Sequence, residues 1–205
     1  MDGDTIGSKD ELRQRYGAPS ERSLQKEMTK LDAHCRNFIA LSPFLVIATS
    51  GADGLGDCSP RGDAPGFVAV LDDTTLLIPD RLGNNRTDSL RNIIDNPGIG
   101  LLFLLPGVNE TLRINGTARI TTDAALLASL AAQGKTPRSG LLVAVKEAYL
   151  QCGKALIRSK LWDPAIQIER TSFPSLGKIL ADQIGLPDVA ASEQMTEEGY
   201  KTRLY

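Results

Sequence analysis

Apolar residues along this chain fall into short runs whose spacing switches between helical and alternating. Leu24, Met28, Leu31, Cys35 and Phe38 recur every three or four positions, one stripe of a helix predicted from Ser20 to a stop at Pro43. Before it, polar residues with Gly17 and Pro19 predict a loose lead-in. FLVIATS (Phe44 to Ser50) is short, β-branched and bounded by Pro43 and Gly51, which reads as a buried strand. Gly51 to Gly56 reads as a turn, and SPRGDAPG follows it. Phe67 to Leu71 reads as a second strand, which Asp72 and Asp73 turn into Leu76 to Ile78 as a hairpin. Asp88 to Ile94 predicts a helix, with Thr87 as N-cap and Leu90, Ile93 and Ile94 on one face.

Further on, Ile99 to Leu105 is apolar on both faces and predicts a central strand. TLRINGTARIT predicts a longer strand, bulged at Gly116. Thr122 caps a predicted helix reaching Ala132, and Gly134 stops it. Leu141 to Val145 reads as a strand that Ala148 to Cys152 continues. Lys154 to Trp162 and Ser175 to Ile184 read as helices, and the residues around Glu197 to Arg203 as a surface tail or a final helix. The strands follow one another too closely for parallel crossovers, which need about a dozen residues each. The expected fold is therefore α+β, an antiparallel six-stranded barrel with peripheral helices. Three stretches are expected: a lead-in and helix over 1–42, the barrel over 43–162, and a helical extension of the same domain over 163–205.

Charge adds exclusions. A formal net charge of −2 gives no general attraction to nucleic acid or to an anionic membrane, so neither partner is expected. The longest apolar run is far short of a transmembrane helix. The N-terminus is charged and has no apolar core of a signal peptide, and three scattered cysteines fit a reducing compartment; a soluble cytoplasmic protein is expected.

Candidate chemistry gathers around the run from Leu76 to Ile94. A short strand, a polar loop holding Asp80, Arg81, Gly83, Asn84, Asn85 and Arg86, and a helix start together form a common way to hold a phosphate. The same pattern also describes a solvated turn. In SPRGD, Arg61 is either a solvated loop arginine or a clamp on a phosphate or a ring carbonyl. Arg113, Asn115, Thr117 and Arg119 share one face of their strand, which on period alone is a wet sheet face. Lys154, Arg158 and Trp162 recur at helical spacing, either as cover for a planar anionic ligand or as a core tryptophan beside two solvated cations. No metal site is expected: His34 is the only histidine, and no clustered ligand spacing occurs. The glycines after Ser50 match neither a dinucleotide fingerprint nor a P-loop.

Three segments in order carry a resemblance: SPRGD (Ser59 to Asp63), a D-R-x-G-N-x-R loop (Asp80 to Arg86) and CxKALxRSxLW (Cys152 to Trp162). From Pro43 to Trp162 the chain resembles the FMN-binding split-barrel family of pyridoxamine 5′-phosphate oxidase-related proteins, and more narrowly a bacterial subgroup with these segments. The resemblance implies a homodimer with FMN at the interface and an FMN-dependent oxidoreductase acting on a small-molecule substrate or electron donor. It implies that Arg61 and the Asn85–Arg86 region meet the phosphate and ribityl chain, with Gly62, Asp63 and Asn84 also among the cofactor-binding residues. Pro79, Asp80 and Arg81 would line the isoalloxazine, and Arg113 would match the second arginine of the family's R-Q-V-R-x-x-G strand. Lys154, Arg158 and Trp162 would close the site from the partner subunit. The family's R-x-V-L-L-K motif is replaced by SPRGDAPGFVAV and its C-terminal tryptophan pattern is absent, so pyridoxine phosphate specificity does not carry over. No residue is assigned as a catalytic acid or base. A flavin-storing or sensing protein without turnover is the alternative, as is a relative holding a deazaflavin or haem.

Overall fold

The computed structural model describes residues 5–205. The first four residues, part of the expected lead-in, lie outside the described residues. Seven strands form one antiparallel sheet: β1 (Phe44–Ser50), β2 (Gly56–Gly62), β3 (Ala69–Val70), β4 (Thr75–Pro79), β5 (Gly98–Leu104), β6 (Thr111–Thr121) and β7 (Gly140–Gln151). Their order is β2-β1-β5-β6-β7-β4-β3, an α+β split barrel. The class is the expected one, with seven strands in place of six. The additional strand is β2, where a turn and the SPRGD stretch stood in the sequence reading. Pro60 and two glycines argue against a strand, but β2 lies at the sheet's edge, where such residues are tolerated.

Alternation decides the core. Leu45 and Ile47 of β1, Leu101 and Phe103 of β5, Leu112 and Ile114 of β6, and Val143 of β7 all point inward and are buried. Leu76 and Ile78 of β4 close the same core. Each such side chain contributes roughly 1.5–3 kcal/mol of transfer free energy. β6 and β7 pair along their whole lengths, with a register shift between Asn115 and Gly116; the unpaired residue is Lys146, so the bulge expected in β6 at Gly116 is carried by β7.

Eight α-helices accompany the sheet among the described residues. The expected loose lead-in contains α1 (Lys9–Tyr16), which buries nothing. The single helix expected from Ser20 is broken into α2 (Glu21–Gln25) and α3 (Ala33–Leu41). Between them Met28 exchanges backbone hydrogen bonds with Ala148 of β7, at 3.0 and 2.8 Å. Met28, Leu31, Cys35 and Phe38 of the apolar stripe reach the core through this extended contact and α3, while Leu24 stays exposed, and Asp32 caps α3 by accepting from the Cys35 N–H at 2.8 Å. α4 (Asp88–Asp95) buries Ser89 and Ile93, but Ile94, expected on the buried face, is exposed. α5 (Ala124–Ala128) is capped by Asp123 rather than Thr122. α6 (Lys154–Ser159) ends before Trp162, because Lys160 turns left-handed. α7 (Leu176–Ile184) and α8 (Val189–Thr202) form a C-terminal hairpin. No helix among the described residues is long and apolar enough to cross a membrane.

The barrel's split falls between the two ends of the strand order. Those ends are β2 and β3, and β2 shares no backbone ladder with β4, the strand next to β3. Side chains join β2 and β4 instead, through residues that follow each strand directly.

Candidate functional site

That junction holds four charged residues whose surroundings differ. Arg81, just beyond β4, donates from Nε to Asp63 Oδ2 at 2.7 Å and from Nη1 to the Leu130 carbonyl at 2.8 Å. Asp63, just beyond β2, also accepts from the Ala64 N–H at 2.7 Å and the Tyr205 hydroxyl at 2.6 Å. The two side chains are 17% and 4% exposed, so this ion pair is largely out of water. Burial alone would push the Asp63 carboxyl up; the Tyr205 phenol, the Ala64 amide and Arg81 together hold it below the usual carboxylate range.

Arg61 and Asp80 share no hydrogen bond or ion pair among the described residues, and only the charge of Arg61 acts on Asp80. Both are half-buried. Arg61 lies on the inward face of β2 with Asp57 and Ser59, and its Nη1 donates only to the adjacent Pro60 carbonyl, at 2.8 Å. Asp80 is anchored through its own N–H to the Ser139 carbonyl at 3.0 Å, while its carboxylate takes no hydrogen bond among the described residues. Burial pushes that carboxyl above the usual range, and the charge of Arg61 opposes the rise. Asp63 and Arg81 bond each other and further partners; Arg61 and Asp80 keep free donors and acceptors.

Beyond Arg81 the loop to α4 is exposed. Asn84 accepts the Arg86 N–H through Oδ1 at 3.1 Å, and Arg86 donates from Nε to Asp88 at 2.8 Å. Asn85 and Thr87 both have positive φ, 58° and 56°. Asn tolerates this conformation; β-branched Thr is strained in it. Thr87 holds the N-cap position without a side-chain cap, its hydroxyl donating to the Arg86 carbonyl instead.

A polar cluster lies under the start of α4. Asp57 Oδ2 accepts from Thr49 and Ser59 at 3.4 Å and from Ser89 at 3.3 Å, and Asn92 donates to Thr49 at 3.1 Å. The sequence reading missed Asp57, Ser89, Thr49 and Asn92. Ser89 carried a signal: it stands four residues before Ile93, on the buried face of an amphipathic helix.

The remaining predicted residues lie apart from this group. Gly62 ends β2, exposed, and Pro79 ends β4, buried. Arg113 is exposed on β6, its guanidinium 5.7 Å from the Tyr149 ring centroid. Lys154 and Arg158 are exposed on α6; half-buried Trp162 donates from Nε1 to the Val108 carbonyl at 2.9 Å. No hydrogen bond or ion pair among the described residues joins these four to Arg61, Asp80 or Arg86 within one chain.

The profile of the family described as pyridoxamine 5′-phosphate oxidase matches residues 31–152, more than half of the chain. No curated protein matches. Among solved structures the chain is similar to HupZ from Group A Streptococcus (22% identity over 58% of this chain and 93% of that one, TM-score 0.49). It is also similar to an FMN-binding protein from Syntrophomonas wolfei (13%, over 57% and 83%, TM-score 0.46). General stress protein 26 from Bacillus anthracis is a third (15%, over 57% and 93%, TM-score 0.42).

Proposed function

Because this chain belongs to the pyridoxamine 5′-phosphate oxidase family, we propose that it binds FMN at the junction of β2 and β4 and acts as an FMN-dependent oxidoreductase on a small molecule. The observation that supports this most directly is that Arg61 and Asp80 keep free donors and acceptors beside the bonded Asp63–Arg81 pair. An arginine with unspent donors, next to serine hydroxyls and an exposed Arg86 at a helix start, suits a phosphate. Asp57 does not suit a phosphate, but it suits the hydroxyls of a ribityl chain, which can donate to it as Ser59 and Ser89 do.

In this reading Arg61 and Arg86 hold the phosphate and Asp57 orients the ribityl chain. The backbone at Asp80 forms a wall for the ring, while Pro79, fully buried, offers it no surface. Bound FMN supplies two-electron chemistry; the chain binds it, fixes its orientation and excludes water. Arg81 works indirectly, since its ion pair positions the loop from Asp80 to Arg86. Lys154, Arg158 and Trp162 lie too isolated to complete this site within one chain. The reading therefore includes a homodimer, with these three residues and Arg113 reaching the flavin of a second copy.

The test is direct. Purified protein mixed with FMN, FAD, a deazaflavin or haem should retain FMN alone through gel filtration, with a flavin absorption spectrum. Preference for haem or the deazaflavin, or failure to retain FMN, would sink the reading. Anaerobic mixing of the FMN complex with NADH or NADPH then separates an enzyme from a storage protein, according to whether bound flavin is reduced faster than free FMN.

A further inference from the structure

We propose that Tyr205 belongs to the candidate site: the segment after α8 returns to the barrel and lies across the β2–β4 junction as a strap that retains the bound ligand. The proposal rests on the flavin reading above.

Three contacts fix the strap to segments remote in sequence. The Tyr205 hydroxyl donates to Asp63 Oδ1 at 2.6 Å. Its ring centroid lies 5.7 Å from the Arg81 guanidinium. Its main-chain oxygen accepts from Lys135 Nζ at 2.7 Å. Asp63 stands two residues beyond Arg61, and Arg81 directly follows Asp80. Tyr205 thus grips the residues that flank Arg61 and Asp80 on both strands.

The short bond to a carboxylate is charge-assisted, the stronger class of hydrogen bond. It helps to hold Asp63 ionised, and it pushes the Tyr205 phenol above its ordinary range. An ionised Asp63 in turn fixes Arg81, and Arg81 sets where the loop to Arg86 leaves β4. The α7–α8 hairpin has an internal packing of its own. Ser192 donates to the Gly177 carbonyl at 2.7 Å, and a Cβ on Gly177 would strike the backbone at Glu193. The strap carries this self-packed hairpin to the junction. A ligand seated between Arg61 and Asp80 then has an aromatic wall beside it, and the strap must loosen before that ligand leaves.

The experiment compares the wild type with Tyr205→Ala and Tyr205→Phe in the full chain, using FMN as the probe. Dissociation is followed by recovery of flavin fluorescence on dilution. FMN should leave Tyr205→Ala about tenfold faster or more, the loss expected for one hydrogen bond to a charged group. Tyr205→Phe, which keeps the ring and loses the hydroxyl, should fall between. A second measurement needs no flavin: trypsin cleavage after Arg203 in the apoprotein should be slow in the wild type and several-fold faster in Tyr205→Ala and Asp63→Asn. Equal FMN dissociation from wild type and Tyr205→Ala, or equal cleavage rates, overturns the strap while normal FMN uptake leaves the flavin reading standing. No FMN uptake by the wild type overturns the flavin reading itself, and the cleavage rates still decide whether Tyr205 docks.

Discussion

Arg61 and Arg81 carry the same charge to the same junction, and their neighbours give them different work. Arg81 is enclosed by Asp63, the Leu130 carbonyl and the Tyr205 ring, so its removal strands a buried carboxylate. Arg81→Ala should cost about 3–5 kcal/mol of stability, as breaking a buried ion pair does. Arg61→Ala should leave the melting temperature nearly unchanged and weaken FMN binding by about 1.5–3 kcal/mol. Arg170→Ala, remote from the junction, is the control for both. Urea denaturation and FMN titration of the three variants check this; loss of stability at Arg61 with unchanged FMN affinity would reverse the assignment. The two aspartates make a matching pair with opposite signs. Asp63 has a lowered pKa, so it contributes stability above the unfolded value of 3.8 that is lost as pH falls through its folded value. Asp80 has a raised pKa, so stability is lost as pH rises from 3.8 through its folded value. At about pH 7, Asp63→Asn should therefore melt below the wild type and Asp80→Asn above it, with both differences shrinking toward about pH 3. Arg61, Asp80 and Arg81 stood out in the sequence as charged residues in a loop, but which of them is spent on a partner depends on Asp63 and Tyr205. Tyr205 is 142 positions from Asp63, and no local pattern joins them.

Elements were legible where one local signal had no rival. β1, β4 and β5 follow from apolar runs, and the register shift at Gly116 from its glycine, although the extra residue, Lys146, lies on β7. A Cβ at Gly116 would collide with the Ala144 carbonyl, so Gly116→Ala must shift the longest strand pair of the barrel. A loss of about 1–3 kcal/mol, typical of overpacking, is expected in chemical denaturation. An unchanged midpoint would mean that the bulge absorbs a methyl group. Elements were misread where tertiary pairing competes with periodicity. The stripe from Leu24 to Phe38 fits one helix, yet Met28 pairs with Ala148 and splits it. β2 was hidden by Pro60 and its glycines, residues that are disfavoured in a strand's interior and acceptable at an edge. The loop between β4 and α4 was read as an anion site from its composition; its left-handed Asn85 and Thr87 were not foreseeable, because Thr is a poor residue for that conformation.

At the scale of the whole molecule, β1 and β5 are apolar on both faces. Leu45, Ile47, Leu101 and Phe103 fill the core, while the outward face pairs Val46 with Leu102 and Phe44 with Leu104. Phe44 remains 37% exposed, and Val46, Leu102 and Leu104 are only half-buried. The apolar strands were readable in the sequence, but which side faces outward required the register. On the flavin reading proposed above, such a face fits a second copy of the chain better than it fits water. An obligate interface of this kind should bury at least about 2,000 Å² in total. Light scattering at micromolar concentration should therefore report twice the 22.0 kDa of one chain. Leu102→Glu places a charge on the outward face without touching the inward core, so it should separate the subunits and leave the fold intact by circular dichroism. If the flavin contacts come from both copies, the same substitution should abolish FMN retention, although Arg61, Asp80 and Arg86 are untouched. A monomeric wild type that binds FMN would remove the second copy from the site. A dimeric wild type whose Leu102→Glu variant is monomeric yet still retains FMN would place the whole site within one chain, with Lys154, Arg158 and Trp162 outside it.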